Sequence, residues 1–176
     1  MIAAERLILR PMENRDCAPF SAMCADREVM RYLGRQPTDE EIAGYPVASQ
    51  TYAAKHGYCA WALERREDGR FLGFCGLEET PEDTPVAGEI EILWRLPSDV
   101  WGQGYAREAA QANLAWAWAN LAVPRVVAMT TPVNARSWGL MERLGMVRDP
   151  ALDFDHPSFA EEHPLRAHIV YVGRRA

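Results

Sequence analysis

Residues 91–109, EILWRLPSDVWGQGYAREA, constrain this chain more than any other stretch, because an alternating strand runs into a tight glycine turn and the turn opens a long helix. Gly102 and Gly104 lack Cβ atoms, so successive backbone N–H groups can converge on one anion while the helix N-terminus adds its partial positive charge. Such a turn cradles a pyrophosphate without basic side chains. Two familiar cradles are excluded. A dinucleotide fingerprint needs a third small residue where Arg107 stands, and a P-loop needs Gly-Lys-Ser/Thr, which does not occur. The turn therefore serves another phosphate, or it is a purely structural turn.

The elements around it follow from periodicity. Residues 105–121 place Ala106, Ala109, Ala110, Asn113, Leu114, Ala117 and Leu121 on one helical face, small enough for close approach to a sheet. Residues 6–11 (RLILRP) alternate and stop at proline, as a first strand does. Asp16 reads as a helix N-cap, and residues 16–56 carry helical spacing that Gly34, Pro37, Gly44 and Pro46 break into several short helices. Residues 58–64 and 71–77 flank Asp68-Gly69 as an antiparallel pair, and residues 88–96 add a third strand. A strand at 125–131, a helix at 135–144 stopped by Gly145, a short extended piece at 146–148 and a last strand at 167–172 complete the order. The long polar and aromatic loop 149–166 has the length of a lid or a binding surface. This order predicts one mixed α/β sheet with helices on both faces.

Composition excludes several function classes. With 19 basic against 25 acidic residues and a net charge of -6, the chain lacks the electrostatic footprint of a nucleic-acid or anionic-membrane binder. Cys17, Cys24, Cys59 and Cys75 form no C-x-x-C pair and no zinc spacing, so neither a metal nor a disulfide framework is expected and a reducing, cytoplasmic setting fits. No run has the length and apolarity of a signal peptide or membrane span. The 176 residues, 48% hydrophobic, suffice for a single domain over 1–176. His156 and His163, with Asp153 and Asp155, lack both metal-ligand spacing and a G-x-S-x-G elbow, and the loop that carries them reads as part of a pocket.

Glu89 and Glu91 are two apart in a strand and share one face. Neighbouring carboxylates raise each other's proton affinity, which moves one toward the range useful to a general base near neutral pH. An ordinary half-exposed strand gives the same pattern.

The turn and its flanks resemble the acetyl-coenzyme A pyrophosphate motif of the GCN5-related N-acetyltransferases (GNAT superfamily), in the W-G-x-G-Y-A form of the RimJ/RimL-like branch. Trp101, Gly102, Gln103, Gly104, Tyr105 and Ala106 carry that likeness. It extends over R-L-I-L-R-P, Glu91, Asn134-x-x-Ser137, Leu144-Gly145-Met146 and the late D-F-D-H-P segment. The resemblance implies a central, mostly antiparallel sheet of about seven strands and transfer of acetyl from acetyl-coenzyme A to an amine, without metal, by direct attack in a ternary complex. It implies Glu91 as base, with Glu89 beside it, and a backbone N–H near Leu93 or Trp94 as oxyanion donor. Asn134 would bind the pantetheine arm, and Ser137 would protonate the departing thiolate because Met141 stands where the family often has tyrosine. Trp94 and Trp101 would border the cofactor. The acceptor, a protein N-terminus or a small-molecule amine, would meet the early helices and the late loop. A catalytically silent acetyl-coenzyme A sensor is the alternative. An exposed strand edge could also pair with a second copy as a homodimer.

Overall fold

The computed structural model describes residues 1–175. Its strands are β1 (Ile2–Ala3), β2 (Leu7–Arg10), β3 (Ala60–Arg65), β4 (Phe71–Glu79), β5 (Ile90–Arg95), β6 (Arg125–Thr130), β7 (Val147–Arg148), β8 (Phe154–Asp155) and β9 (Ala167–Arg174). Its helices are α1 (Cys17–Ala25), α2 (Arg27–Met30), α3 (Asp39–His56), α4 (Tyr105–Asn120) and α5 (Ala135–Arg143). The sheet runs β1-β2-β3-β4-β5-β6-β9-β7, with β8 also on β9. Every pairing is antiparallel except β5 with β6, which α4 joins as a crossover. The α/β fold with a mostly antiparallel sheet is as expected. The strand count exceeds seven because β1 and β8 are two-residue pieces, too short for any periodicity to register.

Alternation along the strands splits the core in two. Leu7, Leu9, Leu63, Leu72, Leu77, Ile90 and Ile92 face α4, whose Ala109, Ala110 and Ala117 are fully buried against them. Asn113, also fully buried, donates from Nδ2 to the Ala109 carbonyl at 2.9 Å and to that of Cys75 on β4 at 3.4 Å, which holds the helix close to the sheet. On the opposite face Met12, Phe20, Met23, Cys24, Val29, Met30 and Ile42 pack with Ala62 and Phe71 under α1 to α3.

Two readings of the early helices change. Gly44 and Pro46 lie inside an 18-residue α3 rather than breaking it. A reciprocal cap, with the Glu41 N–H on Thr38 Oγ1 at 3.2 Å and the Thr38 N–H on Glu41 Oε2 at 2.7 Å, secures the first turn. The Ile42 carbonyl that Pro46 leaves without a donor receives the Cys17 thiol at 3.6 Å. Asp16 stands at the start of α1, but its side chain does not cap the helix. It is 2% exposed and accepts from Arg10 Nη1 at 2.7 Å, Arg10 Nη2 at 2.9 Å and the Glu13 N–H at 2.8 Å. Burial pushes its pKa up, but the bonds from Arg10 and Glu13 prevail and hold it below the ordinary value. Arg10 also reaches Glu64 on β3 at 2.8 Å, so this ion-pair cluster ties the early helices to the sheet.

Candidate active site

The glycine turn sits where β5 hands over to α4. Gly102 and Gly104 adopt φ of 76° and 84°, the left-handed region that favours glycine. Gly102, Gln103 and Gly104 are exposed, and among the described residues their N–H groups donate to no backbone carbonyl. The orphan donors at the start of α4 fit an anion such as a pyrophosphate. Tyr105 is buried and Ala106 half-buried as the helix begins, which fixes its direction. Trp101 is pinned by its indole N–H on the Leu96 carbonyl at 2.9 Å, and Gln103 by its amide on the Asp99 carbonyl at 3.0 Å.

Arg6 clasps the turn from the other side of the chain. Its guanidinium gives Nη1 to the Gln103 carbonyl at 3.0 Å and Nε to Glu108 Oε2 at 2.7 Å, and it lies 4.4 Å from the centroid of the Tyr105 ring. Its backbone N–H adds a bond to Glu108 Oε1 at 2.6 Å. Sequence reasoning treated Arg6 as the first residue of a strand, and no local pattern connects it to a turn about a hundred positions away.

Glu91 occupies the point where β5 meets β6. The two strands share only the register pair Glu91–Val127, after which they part. Burial, then the nearby charge of Glu78, push the Glu91 carboxyl up to about 8, against a modest downward pull from the Met129 backbone N–H on β6. The like charge expected from Glu89 comes from Glu78 instead. Glu78 stands directly opposite Glu91 in the β4–β5 register, and burial raises its own pKa. Glu89 precedes β5 and is bound on both oxygens by Arg125, with Nε to Oε2 at 2.6 Å, so its charge is compensated. Glu78 lies just past the run read as a strand, and only the cross-strand register brings it to Glu91.

The opening of α5 closes the same end of the cleft. The side chain of Asn134 caps the helix, accepting from the Ser137 N–H at 3.4 Å and donating to Thr130 Oγ1 at 3.1 Å. Ser137 is half-buried in this first turn, and Met141, one turn on, is 1% exposed. Arg136 lies 4.6 Å from the centroid of Trp101, which brings α5 against the glycine turn. Leu93 shares the face of Glu91, whereas Trp94 points to the other face and packs on the α4 core.

On the Glu91 face, α3 and the segment before it form a cavity of about 510 Å³ lined by Arg35, Pro37, Glu41, Gly44, Tyr45, Ala48 and Arg95. The late loop reaches this region, because a Cβ on Gly34 would stand 2.9 Å from the Phe159 ring. The loop is partly ordered by β8 and by ring contacts among His156, Phe159, His163 and His168, of which Phe159 and His163 stack. Among the described residues no three His, Cys, Asp or Glu side chains gather as metal ligands, and no helix is long and apolar enough to cross a membrane.

Comparison with known proteins gives this geometry a context. The model of the acetyltransferase (GNAT) domain matches residues 6–147. The uncharacterized protein YkkB of Bacillus subtilis is 30% identical over 146 residues, covering 82% of this chain and 84% of that one. The crystal structure of an acetyltransferase from Agrobacterium tumefaciens superposes with a TM-score of 0.77 at 26% identity, over 99% of this chain and 94% of the other. The spermidine N-acetyltransferase of Vibrio cholerae, solved with coenzyme A and spermine, shares the fold with a TM-score of 0.72 at 15% identity, over 96% and 95% of the two chains.

Proposed function

The chain belongs to the GNAT acetyltransferase family, an acyl-transferring family, and from that premise we propose that it moves an acetyl group from acetyl-coenzyme A to a primary amine by direct transfer in a ternary complex. The observation that carries this reading is the placement of Glu91, with its proton affinity raised to about 8, at the mouth of the parted β5 and β6. An alkylamine is mostly protonated at neutral pH and cannot attack until a base takes its proton, and a carboxylate tuned to this range does so efficiently. In this reading Glu91 takes a proton from the ammonium, directly or through water, the freed nitrogen lone pair bonds to the thioester carbon, and the adduct gives its second nitrogen proton to solvent. A backbone N–H near Leu93 or Trp94 holds the developing oxyanion. The carbon–sulfur bond then breaks, and Ser137 or solvent returns a proton to the thiolate. Gly102 to Ala106 hold the pyrophosphate, Trp101 and Asn134 flank the cofactor, and Glu78, rather than Glu89, tunes the base. The four cysteines are free, which supports a reducing, cytoplasmic setting for such a reaction.

The test begins with thermal unfolding in acetyl-coenzyme A, coenzyme A and ATP, since a ligand of the native state raises the melting temperature by mass action. Acetyl-coenzyme A raises it and ATP does not. Thiol release in a screen of amines then follows turnover, and Glu91→Gln slows release by about 10²-fold or more while leaving the thermal shift intact. Full turnover in Glu91→Gln would remove the base assignment, and the absence of any shift with either coenzyme A form would remove the donor.

A further inference from the structure

The cavity beside α3 contains a cation without a partner. Arg95, at the end of β5, makes no ion pair among the described residues, and its Nε is sealed from solvent with no acceptor. Its nearest polar contacts are two sulfurs, Cys24 Sγ at 3.5 Å and Met30 Sδ at 3.8 Å from Nη1, and the guanidinium lies 5.3 Å from the centroid of the Phe74 ring. Sulfur is a weak acceptor, so the half-buried guanidinium, with its Nε sealed off, is short of good acceptors. The other arginine of the cavity, Arg35, is already bound by Glu41 at 2.7 Å.

The same face of the sheet carries the opposite deficit. Glu91, Leu93 and Arg95 alternate to one side of β5, with Glu78, Gly76 and Phe74 opposite them on β4. Glu78 and Glu91 have no ion-pair partner among the described residues either, and four residues of strand separate Glu91 from Arg95 by roughly 13 Å, too far for one to neutralise the other. Tyr45 on α3 lines the same cavity as Arg95, and its phenol feels the charges of Arg95, Glu41 and Glu78. The groove therefore offers two carboxyl groups without a cation where an amine must enter, and a cation without a carboxylate one short peptide length away.

We propose that the acceptor is an amine that also carries a carboxylate, a peptide-like molecule whose amine meets Glu91 and whose carboxylate is bound by Arg95. This rests on the acetyl-transfer reading for the role of Glu91. An extended peptide of three to four residues spans about 10–14 Å, the length of this gap.

Trialanine with a free carboxyl group, trialanine amide, alanyl-alanyl-glutamate amide and spermidine are the probes. Thiol release gives kcat/KM, and calorimetry on the coenzyme A-loaded protein gives binding without chemistry. Wild-type protein prefers a carboxylated peptide over trialanine amide by about 10-fold or more, mainly through KM, as a charge-assisted bond requires. In Arg95→Gln this ratio collapses toward one, and Arg95→Lys keeps part of it. Preference for the free terminus identifies a small peptide or amino-acid-like acceptor, and preference for the glutamate side chain identifies the acidic N-terminal segment of a longer chain. Equal use of carboxylated and amidated peptides, a preference that survives Arg95→Gln, or spermidine as the best acceptor would each overturn the proposal. Should Arg95→Gln fail to fold, the paired peptides on wild-type protein decide alone. Binding of carboxylated peptides that depends on Arg95, with no turnover of any amine, would sink the transferase reading and leave this one standing.

Discussion

Around the glycine turn between β5 and α4, the groups that matter belong to the backbone. Beneath α1 to α3 they are side chains drawn from separated segments of the chain. The orphan N–H groups of Gly102 to Gly104 are held in place by glycine φ values and by the Arg6 clasp. The charges at Glu78, Glu91 and Arg95 are set by strand register, and the wall opposite them depends on the buried Arg10–Asp16 cluster. A backbone site is insensitive to most side-chain changes and tied to one ligand chemistry, whereas a side-chain site can be altered one residue at a time. The difference explains how one donor site can serve relatives with many acceptors.

Substitutions can break this contrast. Glu91→Gln is expected to lower kcat/KM by about 10²- to 10⁴-fold, the usual contribution of a general base, with acetyl-coenzyme A affinity within about twofold of wild type in calorimetry. A loss of affinity as large as the loss of rate would merge the two regions. Asp16→Ala leaves the buried Arg10 guanidinium with Glu64 as its remaining close partner and costs up to about 3–5 kcal/mol in denaturant unfolding. Saturating acetyl-coenzyme A should still raise the stability of whatever fraction folds. Gly104→Ala forces a left-handed φ on a side chain that also meets Arg6 at 3.4 Å. It should weaken acetyl-coenzyme A binding roughly tenfold, from about 1–2 kcal/mol of strain, while leaving the Glu91 titration in place.

The smallest effect concerns pH. The folded chain keeps the Glu91 proton up to about 8, whereas the unfolded chain releases it near 4.5. Native stability from this group is therefore lost progressively as pH rises through that window, and Glu91→Gln should be relatively more stable above it. The rate should climb with pH and bend near 8. Glu78→Gln removes a like charge and should move the bend to lower pH. An unmoved bend would return the tuning of Glu91 to burial alone.

Legibility followed the same division. The strand at β5, the turn and α4 could be read almost to the residue, because glycine spacing and a small-residue helical face are local signals. The face of Glu91 followed from strand alternation, but only the family resemblance singled it out as a base. The identity of its partner was not visible, since Glu89 is nearer in sequence but Glu78 is nearer in register, and register is a long-range property. The α3 helix was misjudged because Gly44 and Pro46 are breakers by propensity and outweighed the local Thr38-x-x-Glu41 cap, while the Cys17 thiol that donates to the Ile42 carbonyl comes from a distant part of the chain. Arg95 did leave a trace, falling two and four positions after Leu93 and Glu91 on one face of a strand. Nothing local, however, showed that it would lack a counter-ion.

The parting of β5 and β6 after a single shared pair has a consequence for how the sheet meets other molecules. At its margins the sheet ends in β1 and β7, two residues each, which offer another chain little to zip onto. The unspent pairing capacity lies instead in the interior, on the rows of β5 and β6 that diverge from one another. Beyond that pair the backbone groups of β5 and β6 are not spent on one another. The fold thus keeps its free pairing capacity away from the margins, where sheets join edge to edge.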